Sequence, residues 1–241
     1  MIDRASAAGL ASIEWGSDVH VPAGDLALAR AVGERTRAAG LAVCSYGSYL
    51  RFPWQKHAEN VSDVIATAQA LRAPRVRVWA GPCGSADADE DSRAATTSAL
   101  RDMAATARSA GIELAVEFHL GTLTDTVTST RRLLKEIGLP HVSAYWQPRV
   151  GATDSDVLTD LDVLGEDVST IHVFSWGDRF ERHPLRHRQG MWRSVIARAV
   201  RLPGVTDLLL EFLPDDNADL LPSEAATLRG WLDTEMRGEA A

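Results

Sequence analysis

The sequence predicts an α/β protein with a TIM-type (β/α) barrel, and three observations support this fold class. Short apolar runs recur roughly 30 to 40 residues apart, which is the length of one strand–helix unit. Helical patterns lie between these runs, and such an alternation is typical of a parallel sheet. The length of 241 residues suits one barrel of this kind, so we expect a single domain over residues 1–241.

Seven runs are interpreted as buried parallel strands because they are short and rich in Val, Ile, Leu and aromatic residues. In chain order they are residues 11–15, 41–46, 76–80, 112–119, 142–147, 169–176 and 207–213. A helix is expected at residues 2–8, before the first run. A standard barrel has eight strands, so either the first strand is missing or it lies before Met1. A missing strand would expose two strand edges, which a second copy in a homo-oligomer or a neighbouring loop would cover.

The helices are predicted from apolar stripes and from residues typical of helix ends. Residues 61–68, 100–107 and 127–137 carry apolar side chains at helical spacing. Asp25 and Thr124 are predicted N-caps. Three glycines each follow a predicted helix and precede a strand, where a left-handed cap is favoured: Gly40, Gly111 and Gly138.

Charge and cysteine content exclude several classes of function. The net charge is −8 and the pI is about 5.4, whereas proteins that bind nucleic acids or membrane surfaces usually present a basic face. Cys44 and Cys83 lack the spacing of a metal site and are expected to be small buried side chains in a reducing compartment. Without a recognisable signal peptide or membrane span, we expect a cytoplasmic protein.

Three ionisable residues stand inside apolar runs, near the predicted carboxyl ends of their strands. They are Glu117, His172 and Glu211, and this end of a barrel is its catalytic face. A carboxylate in such a run is costly to bury in its ionised form unless a cation lies beside it. Together the three could converge on one divalent metal ion, and oxygen and imidazole ligands suit Mn²⁺, Co²⁺, Zn²⁺ or Mg²⁺. The alternative is that Arg77, in the middle of a neighbouring run, pairs with these carboxylates without any functional role.

Four segments resemble the xylose isomerase-like barrel superfamily, the sugar phosphate isomerase/epimerase group that also includes endonuclease IV. They are residues 13–22, 114–119, 171–177 and 184–214, and their order and spacing cover nearly the whole chain. The resemblance implies one divalent metal ion with Glu117, Gln147, His172 and Glu211 as ligands. Gln147 stands where the family usually has Asp, which implies weaker metal binding or an altered activity, because an amide oxygen carries no charge. The many histidines of endonuclease IV are not visible, so DNA repair is not expected.

The resemblance also implies a reaction. A metal ion that binds adjacent oxygens of a hydroxy-ketone stabilises an enediolate, while a nearby carboxylate removes the proton next to the carbonyl. Glu117 and Glu211 would be the catalytic base and acid of a metal-dependent isomerase or epimerase of a sugar or a sugar-like polyol or ketose. Two alternatives remain open: a lyase or dehydratase acting on a related polyol or keto-sugar, and a non-catalytic sugar-binding barrel.

A second set of residues is predicted to contact the carbohydrate-like substrate. His119 matches a substrate-contacting histidine of the family, and Arg182 lies in a basic stretch, residues 179–188, that is either an anion site or a solvated loop. The other predicted substrate-binding residues are Glu14, His20, Arg77 and Trp176. Five tryptophans near strand ends are either apolar walls for a sugar or core residues: Trp15, Trp54, Trp79, Trp146 and Trp176.

Overall fold

The computed structural model describes residues 1–53 and 59–239, so Trp54 lies outside the described residues. Within these residues the strands are β1 (Ser12–Gly16), β2 (Ala42–Phe52), β3 (Arg75–Ala80), β4 (Glu113–Glu117), β5 (Val142–Trp146), β6 (Val168–Val173), β7 (Ser175–Trp176), β8 (Arg182–His183) and β9 (Asp207–Leu210). The α-helices are α1 (Ile2–Ala7), α2 (Leu26–Ala38), α3 (Val61–Leu71), α4 (Glu90–Ser109), α5 (Val127–Ile137), α6 (Asp154–Leu164), α7 (Gln189–Ala199) and α8 (Leu221–Glu239). None of these helices is both long enough and apolar enough to span a membrane.

The chain divides into two compact units, and the first comprises Ala11–Tyr145. In this unit β1 to β5 pair in parallel and in chain order. The helices α2 to α5 follow the first four strands in turn, as the alternating pattern predicts. Short continuous apolar runs therefore identify all five strands of this unit.

The second unit comprises Met1–Leu10 and Trp146–Ala241. Here β6 and β9 pair in parallel, from Thr170 opposite Asp207 to Val173 opposite Leu210. The sequence predicts one strand over residues 169–176, but β6 ends at Val173, and β7 pairs with β8 in an antiparallel ladder. The described residues thus contain seven strands in parallel pairs, the number that the sequence predicts.

Helix ends and buried stripes agree with the sequence, with one exception. Asp25 caps α2 by accepting a hydrogen bond from the Leu28 backbone N–H at 3.0 Å. The predicted cap Thr124 is wrong, because α5 begins after Thr126, whose hydroxyl accepts from the Ser129 N–H. The stripes of α3, α4 and α5 bury Leu, Ile, Val, Met and Ala side chains, and each larger one contributes about 1.5–3 kcal/mol through removal of apolar surface from water.

Candidate active site

The four predicted ligands stand where strands end. Glu117 is the last residue of β4 and Gln147 directly follows β5. His172 is the penultimate residue of β6, and Glu211 directly follows β9. Catalytic residues of parallel barrels come from these carboxyl ends.

In the second unit, three of these side chains bring their donor atoms together. His172 Nδ1 lies 2.8 Å from Gln147 Oε1 and 3.5 Å from Glu211 Oε2. The His172 side chain is only 3% exposed, whereas that of Glu211 is 31% exposed. The cluster is therefore anchored in the protein interior on the histidine side and open to solvent on the glutamate side.

The spacing of this cluster suits a divalent ion. Ligand atoms about 2.1 Å from an octahedral ion lie about 3 Å from one another, which is close to the two separations measured from His172 Nδ1. An imidazole nitrogen, an amide oxygen and a carboxylate oxygen are together acceptable to Mn²⁺, Co²⁺, Zn²⁺ or Mg²⁺. Gln147, His172 and Glu211 thus fit a metal ion in geometry and donor chemistry, with the ion taking the place of the Nδ1 proton that His172 donates to Gln147 Oε1.

In the first unit, Glu117 is bound by two donors from β3. Arg77 Nη1 and Trp79 Nε1 both donate to its Oε2, and the carboxylate side chain is 4% exposed. The ion pair between Arg77 and Glu117, which the sequence offered as an alternative to a metal ligand, is therefore present. It is also compatible with a ligand role, because a carboxylate has a second oxygen.

Arg77 also contacts Glu14, and the two predicted substrate-binding residues thus share one network. Arg77 Nε donates to Glu14 Oε1 at 3.2 Å, and the Ser45 hydroxyl donates to Glu14 Oε2 at 2.5 Å. Gly47 of β2 lies directly against this pair: a Cβ atom there would stand 2.7 Å from both Arg77 Nη2 and Glu14 Oε1. A glycine at this position is what allows the arginine to lie across the strand.

His119 and His20 lie in different surroundings. His119 stacks on Trp79, with ring centroids 4.6 Å apart and an interplanar angle of 24°. His20 packs edge-on against Trp15 at 5.5 Å. His119 is therefore linked, through Trp79, to Glu117.

Tyr49 adds a polar group beside Trp79. Its ring meets the indole edge-on at 5.6 Å, and its hydroxyl donates to Asp18 Oδ2 at 3.0 Å. Burial, followed by the hydrogen bond to Asp18, raises the pKa of Tyr49 to about 12. The phenol is consequently neutral at physiological pH and acts there as a hydrogen-bond donor.

An aromatic cluster in the second unit contains the predicted residue Trp176. Its ring centroid lies 4.7 Å from that of Phe212 and 5.4 Å from that of Phe180, and Phe180 is 53% exposed. The Arg182 guanidinium lies 4.6 Å from the Phe212 ring centroid and forms an ion pair with Asp216. An anionic substrate group would thus compete with Asp216 for Arg182.

The other tryptophans divide between the core and partly exposed positions. Trp15 and Trp146 are buried, as the core-packing alternative predicts, whereas Trp79 and Trp176 are partly exposed. The contacts of Trp79 with Glu117 and of Asp216 with Arg182 are not predicted from the sequence. No local pattern reveals them, since the partners are separated by 38 and 34 residues.

The parallel strands and their intervening helices define the class of the protein as a TIM-type barrel, and comparison with known proteins specifies the family. The profile of the xylose isomerase-like TIM barrel family matches residues 2–215. The chain belongs to this family, and both the fold class and the resemblance predicted from the sequence are confirmed.

Solved structures of similar fold include both lyases and epimerases. The probable 3-DHS dehydratase AsbF of Bacillus anthracis has a TM-score of 0.80 at 19% identity, covering 95% of this chain and 92% of its own. D-psicose 3-epimerase of Clostridium cellulolyticum H10, solved with D-tagatose, has a TM-score of 0.69 at 11% identity, covering 96% and 92%. A xylose isomerase-like TIM barrel protein of Mycobacterium smegmatis, solved with magnesium, has a TM-score of 0.70 at 15% identity, covering 97% and 87%. No curated protein sequence matches the chain significantly.

Proposed function

We propose that this protein is a metal-dependent isomerase or epimerase of a sugar or a sugar-like polyol or ketose. The observation that carries the proposal is the convergence of Gln147, His172 and Glu211 donor atoms at the carboxyl end of β6. Glu117 is proposed as the fourth ligand, as the resemblance of its strand-end segment to the family implies. The magnesium in the M. smegmatis protein supports a divalent ion as the cofactor.

A divalent ion bound by these residues would polarise the carbonyl and hydroxyl oxygens of a hydroxy-ketone. The chain's own groups move the proton. One of Glu117 and Glu211 takes it from the carbon next to the carbonyl, and the other returns a proton to the neighbouring carbon or to the opposite face. Arg77 and Trp79 hold Glu117 in place during this exchange.

A dehydratase is the second candidate, and the similarity in fold to the B. anthracis dehydratase favours it. The same carboxylates would remove the proton next to the carbonyl. The hydroxyl group on the adjacent carbon would then leave, take up a proton and depart as water, and an unsaturated ketone would remain. Substrate and product differ in mass in this reaction, whereas an isomerase or epimerase conserves mass.

Proton exchange and mass distinguish the candidates. We expect the Mn²⁺-loaded protein to incorporate deuterium from D₂O next to the carbonyl of at least one member of a panel of ketoses and cyclic keto-polyols. An unchanged product mass, apart from deuterium, identifies an isomerase or epimerase, and loss of water identifies a dehydratase. The matched control is Glu211→Gln, which we expect to exchange at least about 100-fold more slowly. Tight sugar binding without exchange or water loss would refute an enzymatic function and leave a sugar-binding barrel.

A further inference from the structure

We propose that Trp79 is a positioning residue that couples the metal ligand Glu117 to the substrate-binding residue His119. The inference rests on the proposed function, because it takes Glu117 as a ligand of the metal ion. The indole Nε1 of Trp79 donates to Glu117 Oε2, and the face of the same ring stacks on His119 at 4.6 Å. One side chain thus contacts both residues at once.

The strand pattern explains why these four side chains meet. Arg77 and Trp79 are two residues apart on β3, so both side chains start from one face of the sheet. Glu117 is the last residue of β4, and His119 follows it by two residues. The parallel register aligns Arg77 with Ala115 and Val78 with Val116, and the next position along places Trp79 beside Glu117. The contact between Trp79 and Glu117 therefore follows from the pairing of β3 with β4.

The indole ring is held on several sides, so its N–H direction is defined before any ligand binds. Tyr49 meets it edge-on at 5.6 Å, and the Arg51 guanidinium carbon lies 5.3 Å from its centroid. Each of these neighbours is itself bonded: Tyr49 to Asp18 at 3.0 Å, and Arg51 to the Gly121 carbonyl at 2.8 Å. Groups that orient a ligand need such locked side chains.

Arg77 and Trp79 have different roles at Glu117. Arg77 supplies the positive charge that compensates a buried carboxylate. Trp79 supplies a second donor to the same oxygen, so rotation of the carboxylate about its last bond would break both bonds. Loss of the indole N–H should therefore allow the Glu117 carboxylate to rotate, while its ion pair with Arg77 remains.

Mn²⁺ titration calorimetry of the full chain tests the inference. In Trp79→Phe the N–H is lost and an aromatic ring remains, and we expect the dissociation constant for Mn²⁺ to rise about 10- to 100-fold. The matched control is Trp15→Phe, which also loses a buried indole hydrogen bond, here to Thr36 at 3.2 Å, and should stay within about twofold. The double variant Trp79→Phe/Glu117→Gln should bind no more weakly than Glu117→Gln alone, because both changes act on one contact.

NMR spectra of the metal-free protein test the Trp79 contacts independently of metal binding. The indole ¹H–¹⁵N signal of Trp79, identified by its loss in Trp79→Phe, should move in Glu117→Gln. The His119 ring protons should shift downfield in Trp79→Leu, which removes the stacked ring. Wild-type protein that binds no Mn²⁺ would overturn the proposed function together with the coupling. Normal Mn²⁺ binding by Trp79→Phe, additive losses in the double variant, or unmoved signals would overturn the positioning role alone.

Discussion

At the scale of single residues, the charges around Glu117 explain how a carboxylate is accommodated in an apolar strand. Arg77 contacts both Glu14 and Glu117, so this group of three carries a formal charge of −1. Removing ions from water is costly unless they are paired, and Arg77 pairs with both carboxylates at once. The ion pair with Arg77 therefore explains how Glu117 is buried at the end of β4.

Gln147 provides the most direct test of the ligand set at this scale. We expect Gln147→Glu to tighten Mn²⁺ binding by about tenfold or more, because a carboxylate of equal length adds a negative charge within a few ångströms of the ion. Gln147→Leu should weaken binding, since it removes the oxygen that lies 2.8 Å from His172 Nδ1.

Titration calorimetry with Mn²⁺ measures both effects, and circular dichroism verifies that the variants are folded. Equal affinity in the wild type, Gln147→Glu and Gln147→Leu would remove Gln147 from the ligand set. Tighter binding by Gln147→Leu would instead mean that the amide obstructs the site.

At the scale of the secondary structure elements, the passage of Arg77 across β2 depends on the lack of a side chain at Gly47. We expect Gly47→Ala to destabilise the protein by about 1–3 kcal/mol, the usual cost of overpacking, and to displace Arg77 from Glu14. Urea unfolding measures this change. The control is Gly230→Ala in α8, where a Cβ meets nothing within 4 Å and helix propensity should increase stability by about 0.5–1 kcal/mol. Equal stability of Gly47→Ala and the wild type would mean that Arg77 is not confined by β2.

Strands and helix ends are predicted correctly where a local sequence pattern determines them. The parallel strands are continuous apolar runs, and Asp25 caps α2 through a bond to Leu28, only three residues away. The break after Val173 was missed because the run 169–176 stays apolar, while the pairing of β7 with β8 depends on a return of the chain at Arg182. Thr124 was misassigned because its hydroxyl instead donates to the Glu117 carbonyl, a contact that no capping pattern encodes.

At the scale of the whole molecule, the sequence predicted which residues stand at strand ends, but it did not predict their partners. Glu117, His172 and Glu211 were recognisable because an ionisable residue in an apolar strand is unusual. The contacts of Trp79 with Glu117 and of Asp216 with Arg182 follow only from folding, which brings distant positions together. The fold is therefore readable from one sequence, and candidate ligands can be proposed from it, whereas the contacts around those ligands are known only from the folded structure.

Metal binding should also be visible in the stability of the whole chain. An ion that binds only the folded state adds stability of RT ln(1 + [ion]/Kd), or about 2.7 kcal/mol at 100 times Kd. For a chain of this length that corresponds to roughly 5–10 °C in Tm.

We therefore expect protein purified without chelator to contain nearly stoichiometric Mn, Co, Zn or Mg by elemental analysis. Its Tm should fall on treatment with EDTA and recover with Mn²⁺. The control is Glu211→Gln, which loses a charged ligand and should contain little metal and respond to neither treatment. A wild type that is empty and gains no stability from any of these ions would mean that Gln147 has abolished metal binding, and the sugar-binding alternative would then be the better explanation of this barrel.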